Sequence, residues 1–201
     1  MKQEFLDIVK ARYSCRNFKD SAINANILEN ILEAGRLAPS SLGLEPWCFY
    51  VVQDSIKKQE ISKIANNQNH VAHCGAIIII TARLDFVEYF EARLKARNLS
   101  EVEIQKRISL YKPFLENMSA ERKLFYAREQ TYLALANMAN AASAYGIASC
   151  IIGGFDNAKL DTYLKLNHSE KTSIMLVLGE PLESEMPQKV RNAKEEVIKF
   201  I

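Results

Sequence analysis

The sequence predicts an α+β domain in which helices enclose a central sheet. Three observations carry that expectation. Four apolar runs, at 47–52, 77–80, 148–152 and 173–178, read as short strands set between helical patterns. One of them, Ile77-Ile78-Ile79-Ile80, is apolar on both faces, as a strand in the middle of a sheet must be. Glycine supplies only 7 of 201 residues, roughly half its usual share, which argues against a turn-dense all-β sandwich and for helices.

The elements follow in order. Residues 3–12 form a helix with Phe5, Ile8 and Val9 on one face. Arg12–Phe18 breaks that period and is extended. Asn24 or Asn26 caps a second helix, in which Ile27, Leu28, Ile31, Leu32, Gly35 and Arg36 keep helical spacing until Pro39 stops it. Trp47–Val52 is a strand, followed by a polar helix around 54–66. The strand at Ile77–Ile80 leads into a charge-dense stretch, 86–125, of helices laid over the core. Residues 126–145 form a long Ala-rich helix whose small side chains allow close approach. Gly146 stands at its C-terminal cap. Ala148–Ile152 and Ser173–Leu178 are two more buried strands, and a basic tail runs over 187–201.

Composition narrows the function. Apolar residues make up 48% and charged residues 25%, which excludes bulk disorder. A net charge of +2 gives no reason to expect nucleic acid or a membrane surface as partner. No apolar run approaches bilayer length and no leader opens the chain, so a cytoplasmic protein is expected. Cys15, Cys48, Cys74 and Cys150 match no zinc spacing and are expected as free thiols, with no metal bound.

Four segments carry the chemistry. In an extended chain Arg12, Ser14 and Arg16 point the same way, so two guanidinium groups and a hydroxyl converge as an anion site; the alternative is a solvated basic edge. Ala38–Trp47 offers the hydroxyls of Ser40 and Ser41 and flexible Gly43, either to a polar ligand or as ordinary loop chemistry. Gly153-Gly154, directly after a buried strand, lets the backbone approach a flat ligand; the alternative is a tight turn before a helix capped by Asp156. Lys189 and Arg191 share a face, as a second basic pair or as a solvated tail.

Together these segments resemble FMN-dependent nitroreductases. The resemblance covers about residues 4–194. It runs through R-x-S-x-[RK]-x-F at Arg12–Phe18, A-P-S-S-x-G-x-E-P-W at Ala38–Trp47, Asn67-Gln68, G-G-F-D at Gly153–Asp156, and Lys189-Val190-Arg191. Cys15 and the stretch Ser149–Asp156 look most like the bacterial oxygen-insensitive subgroup that activates nitroimidazoles.

With no internal repeat, low-complexity tract or Pro/Gly/Ser linker, the chain reads as one domain over residues 1–201 with a helical excursion at about 86–125. The resemblance implies a nitroreductase-like α+β fold with a central mixed sheet, completed by the partner subunit's C-terminal tail. A homodimer with FMN at the subunit interface follows from the same likeness. Arg12, Ser14, Lys189 and Arg191 are then expected at the FMN phosphate and ribityl chain, Arg16 at the N1/O2 edge, and Asn67 at the pyrimidine edge. Gly153 and Gly154 are expected to offer N–H groups near N5. Pro39, Ser40, Ser41 and Gly43 reach in from the other subunit, and Tyr13, His70 and Ile152 complete the cofactor contacts.

The implied activity is ping-pong hydride transfer from NADH or NADPH, through FMN, to a nitroaromatic or quinone, with no catalytic side chain required. The alternatives are reduction of an enone or halogenated phenol, and a non-catalytic flavin-binding or redox-sensing protein. Three positions depart from many relatives: Arg16 replaces Lys, Gly153 replaces an acidic residue, and His70 replaces Lys or Gln.

Three other groupings have plainer readings. His70, His73 and Cys74 fall on one helical face but lack a fourth ligand. Cys15 and Cys150 become reactive only if a nearby Arg lowers a thiol pKa; the alternative is inert buried thiols. Tyr111, Phe114, Phe125 and Tyr126 either line a substrate face or pack the covering helices.

Overall fold

A computed structural model describes residues 2–182 and 187–201 of the chain. Helix α1 (Lys2–Ala11) leads through an extended segment into α2 (Ala25–Arg36). Asn24 caps α2, its side-chain oxygen accepting from the N–H groups of Asn26 and Ile27 at 3.0 and 3.3 Å. The helix ends at Arg36, ahead of Pro39, where Leu37 N–H turns back to Glu33 O. A single 3₁₀ turn, Ser41–Gly43, precedes β1 (Trp47–Val52). Asp54 caps α3 (Ser55–Ile64), and a four-residue helix, α4 (Asn69–Ala72), follows. Next come β2 (Ala76–Arg83), α5 (Phe86–Lys95), α6 (Glu101–Glu116) and α7 (Ala120–Ala144). The chain closes with β3 (Ala148–Ile152), α8 (Asn157–Tyr163), β4 (Glu170–Gly179) and α9 (Lys194–Val197).

Among the described residues the sheet has four strands in the order β1-β2-β4-β3, with β2 and β4 in the centre. The pairing is antiparallel throughout. The parallel component expected of a mixed sheet is confined to one isolated bridge, Ser14 with Ser149.

The all-isoleucine stretch of β2 serves both faces. Ile78 and Ile80 join Ile174, Leu176 and Leu178 under α2 and α7. Ile77 and Ile79 join Met175, Val177, Cys150 and Ile152 on the opposite face, against Ile61, Val71 and Leu160. Two helical layers therefore sandwich the sheet, and alternation along each strand feeds both cores. Gly35 of α2 meets Met138 of α7, where an added Cβ would lie 2.6 Å from Met138 Cγ. A side chain there would push Met138 aside, so glycine lets the two helices close on each other with Met138 in place.

Several boundaries differ from the sequence expectation, and β2 runs to Arg83 rather than ending at Ile80. The central helix starts at Ala120 rather than 126, because Ser119 caps it by accepting from Arg122 N–H at 3.1 Å. At 1.5 Å per residue α7 is about 37 Å long. Strand β4 begins at Glu170 rather than Ser173, extended by ladder pairs with Thr81, Ala82 and Arg83. The register shifts at Ile80/Thr81, leaving Ser173 as the extra residue, and its hydroxyl pairs with Thr131 Oγ1 of α7 at 2.8 Å. The helices over 86–125 are more than a cover. Phe86, Phe90, Leu94, Ile104 and Leu115 form a third core with Leu44, Ala82 and Tyr126.

Candidate functional site

The first cluster forms along the free edge of β3. Ser14 bridges to Ser149, and Cys15 N–H donates to Ser149 O at 3.0 Å. Cys15 turns into the core and Tyr13 packs partly against it, leaving Ser14 and Arg16 exposed and Arg12 half-buried. The chain then leaves β3, and Phe18 pairs with Pro181. The tail returns to the same place. Lys189 Nζ donates to Val9 O, the carbonyl near the end of α1, at 2.6 Å. Burial first, and then the adjacent Arg12 and Arg191 guanidinium groups, hold the Lys189 ammonium pKa below the ordinary lysine range. Three cations thus share one corner. Arg12 Nη1 is buried there with no hydrogen-bond partner among the described residues. An unpaired buried donor costs about 1–3 kcal/mol, a cost that an acceptor seated in this corner would relieve.

A second set lies beside it. Asn66 Nδ2 and Gln68 Nε2 both donate to Gly154 O, at 3.0 and 2.9 Å, and Asp156 N–H donates to Ile64 O. This fastens the loop between α3 and α4 to the Gly153-Gly154 turn. Neither glycine has a positive φ, and an added Cβ at either would meet its nearest neighbour at 3.6 Å, an ordinary contact. The fold itself does not demand glycine at either position, yet both leave the backbone bare. Asp156 caps α8 by accepting from Lys159 N–H at 3.1 Å, so the turn-and-cap reading also holds. His70, on α4, buries Nε2 without a partner, and burial followed by the nearby Arg16 charge pushes its pKa down. Asn67 is exposed at φ 55°, and it is its neighbours Asn66 and Gln68 that grip the turn. Ile152 is buried, so only its backbone is open to a ligand.

The structure brings Arg12, Ser14, Arg16, His70, Lys189 and Arg191 around β3, with Gly153 and Gly154 at its end. Cys150 links the sets, since its thiol feels Arg16, Arg12 and Ser14 together. Burial outweighs those guanidinium groups and raises the Cys150 pKa, which makes it a packed rather than a reactive thiol. Cys74 is likewise committed. Its thiol donates to Val71 O at 3.3 Å, and burial lifts its pKa to about 11. No cluster of three metal-ligating side chains occurs among the described residues.

Pro39, Ser40, Ser41 and Gly43 lie elsewhere, at the β1 edge on the α7 side. Three strand spacings, about 14 Å, separate the two edges. The hydroxyls expected to be open are engaged. Ser40 Oγ accepts from Glu45 N–H at 2.8 Å, Tyr126 OH donates to Ser41 Oγ at 2.5 Å, and Ser41 N–H donates to Gln130 Oε1 at 2.8 Å. Leu42, Gly43 and Glu45 hold φ of 55°, 61° and 49°. Left-handed backbone at Leu and Glu costs about 1–2 kcal/mol each, so this turn is strained and must be held. Gln130 and Tyr126 carry no local sequence signal for that task. Tyr126 also packs on Phe86 and Phe114, at ring-centroid distances of 5.6 and 6.2 Å, as a core residue of the covering helices.

Comparison with known proteins agrees with this geometry. Residues 9–180 match the family model described as Nitroreductase family. YfkO of Bacillus subtilis, which carries the name NAD(P)H nitroreductase, is 32% identical, with the alignment covering 100% of this chain and 99% of YfkO. The crystal structure of YdfN, a protein of Bacillus subtilis bearing the name nitroreductase, superposes with a TM-score of 0.92 at 22% identity, over 100% of both chains. A protein of Exiguobacterium sibiricum, also named a nitroreductase and solved in complex with FMN, superposes with a TM-score of 0.86 at 23% identity, over 98% of this chain and 97% of the other. The paired arginines at β3, the bare glycine turn and a match that spans most of the sequence lead to one assignment: the chain belongs to the nitroreductase family.

Proposed function

We propose that the protein is a homodimeric FMN oxidoreductase that takes hydride from NADH or NADPH and delivers it to a nitroaromatic or quinone. The observation that carries this reading is the buried, unpaired Arg12 Nη1 among Lys189 and Arg191, one strand-length from the bare Gly153-Gly154 backbone. The residues present fit FMN, a phosphate at one end of a flat ring system. Arg12, Lys189, Arg191 and Ser14 would hold the phosphate and ribityl chain. Arg16, Asn67 and His70 would line the ring's polar edge, and Gly153 and Gly154 would offer backbone N–H groups. The names of YfkO and the FMN complex of the Exiguobacterium protein support the same choice.

Bound FMN supplies two-electron hydride chemistry. The chain's part is to bind, orient and polarise. Arg16 would place a guanidinium charge where electron density builds on the ring. Donor and acceptor would use one ring face in turn, which gives ping-pong kinetics.

A second copy would complete the site. The α1–α2–α7 face leaves Phe5 and Leu37 more than half exposed, at 62% and 64%, around a groove of about 380 Å³. Leu37 leads directly into the 39–43 turn and α1 leads directly into Arg12. A copy docked on this face would therefore bring its turn toward the β3 corner.

The test is an absorbance spectrum of the purified protein, followed by anaerobic NADH or NADPH and then nitrofurazone, a quinone or an enone. A yellow dimer bleached by reduced nicotinamide and re-oxidised by the first two acceptors is expected. Preference for the enone would move the substrate class, and bound flavin that NAD(P)H fails to reduce would favour a flavin-binding protein. A colourless monomer that FMN does not reconstitute would overturn the reading. Arg16→Ala is expected to slow flavin reduction more than it weakens flavin retention.

A further inference from the structure

We propose that Arg97, just past the C-terminus of α5, is a positioning residue for the cofactor site: it fixes the shape of the Ser41–Gly43 turn that each subunit presents to the other. The proposal rests on the dimeric FMN reading above and assigns the control of that site to the helical excursion.

Three observations converge on it. The turn holds left-handed φ at Leu42, Gly43 and Glu45, a shape that leucine and glutamate do not keep unaided. Arg97 Nη2 donates to Leu42 O at 2.6 Å and to Gly43 O at 3.2 Å, while Arg93 reaches Gly43 O at 3.4 Å and pairs with the Glu45 carboxylate. From the other side Tyr126 and Gln130 of α7 hold Ser41. Arg97 therefore binds the two carbonyls at the strained centre of a turn clamped from two helices. Gly43 admits it, since a Cβ there would collide with the Arg97 guanidinium.

The clamp serves orientation more than burial. Leu44 is the one residue of 39–45 buried in the core beneath the excursion, whereas Pro39 and Ser41 remain exposed. Strain that is over-determined by side chains at an exposed turn sets the direction of the groups the turn displays. Here those groups are the exposed surfaces of Pro39 and Ser41. With both carbonyls drawn toward Arg97, the opposite face is left to meet a neighbour.

The experiment measures FMN affinity by flavin-fluorescence titration of apoprotein, alongside the apo melting temperature. It compares wild type, Arg97→Met, Arg97→Lys and the double variant Arg97→Met/Leu42→Gly. Methionine keeps the stem and removes the donors. Arg97→Met is expected to weaken FMN binding about tenfold, the loss of a charge-assisted hydrogen bond. Lysine should fall between it and wild type. Leu42→Gly should recover part of the loss, because glycine adopts the left-handed conformation without a clamp. A purely structural role would lower the apo melting temperature of Arg97→Met and leave FMN affinity within twofold of wild type, which overturns the proposal. So does a double variant no better than Arg97→Met. Should Arg97→Met not fold, Arg97→Lys decides alone, and wild-type affinity in it overturns the proposal. A wild-type chain that takes up no FMN refutes the underlying reading, and this proposal with it. That failure is recognisable because it precedes any substitution.

Discussion

The two edges of the sheet handle their polar groups in opposite ways. At the β1 edge the Ser40–Glu45 turn is saturated. Its hydroxyls, N–H groups and carbonyls are held by Tyr126, Gln130, Arg93 and Arg97. At the β3 edge Arg12 Nη1, Ser149 Oγ and His70 Nε2 are buried without partners among the described residues, and three cations crowd one corner. Polar groups that satisfy one another hold a shape, even a strained one. Polar groups left open mark where an outside molecule belongs. On the reading proposed above, β3 is the binding edge and the turn a preformed surface.

The largest effect that tests this contrast is at Arg12. Arg12→Ala should reduce FMN affinity about 100-fold, as expected for charge-assisted bonds to a phosphate, while leaving the melting temperature of the apoprotein unchanged or raised. A fall in apo stability would mean that Arg12 belongs to the fold and would erase the difference between the edges. Gly153→Ala should come next. The chain has room for the new Cβ, so apo stability should change by less than about 0.5 kcal/mol, while FMN affinity falls about tenfold. Equal binding by the variant would show that no ligand approaches that backbone.

The saturated edge should behave the other way. Tyr126→Phe removes the donor to Ser41 and should cost about 1 kcal/mol in urea unfolding of the apoprotein.

The smallest effect concerns pH. The folded-state pKa of His70 lies below the ordinary imidazole value near 6.5. In the window between the two, the unfolded chain binds a proton that the folded chain refuses. Stability is therefore full above about pH 6.5 and declines as the pH falls toward the folded-state value. Melting temperatures of wild type and His70→Gln over that window should diverge as acid is added. Parallel curves would remove His70 from the set of unsatisfied groups.

The sequence resolves what periodicity and local caps encode. Trp47–Val52 and Ala148–Ile152 are strands with the expected limits, because apolar runs of that length have no other stable home. Asn24 caps α2 and Gly146 takes φ 71° behind α7, both by local chemistry. The start of α7 was set by Ser119, a signal masked by the charged residues that follow it. Residues 170–172 are polar, and they become strand only because Thr81, Ala82 and Arg83 offer them a ladder. The state of Ser40 and Ser41 was beyond a local reading, since Tyr126 and Gln130 lie 85 and 89 residues from Ser41. The same limit applies to Asn66 and Gln68, whose shared acceptor, Gly154, is 88 and 86 residues away.

The bond from Lys189 to Val9 spans 180 residues. Its consequence is temporal. The proposed phosphate corner cannot form during synthesis until the segment around Lys189 has left the ribosome, and helix α1 must wait for that segment to arrive. On that reading, cofactor loading waits for the segment that carries Lys189. A bound phosphate would then act as a clasp between two segments far apart in sequence, so that holding the flavin and holding the molecule closed become a single event.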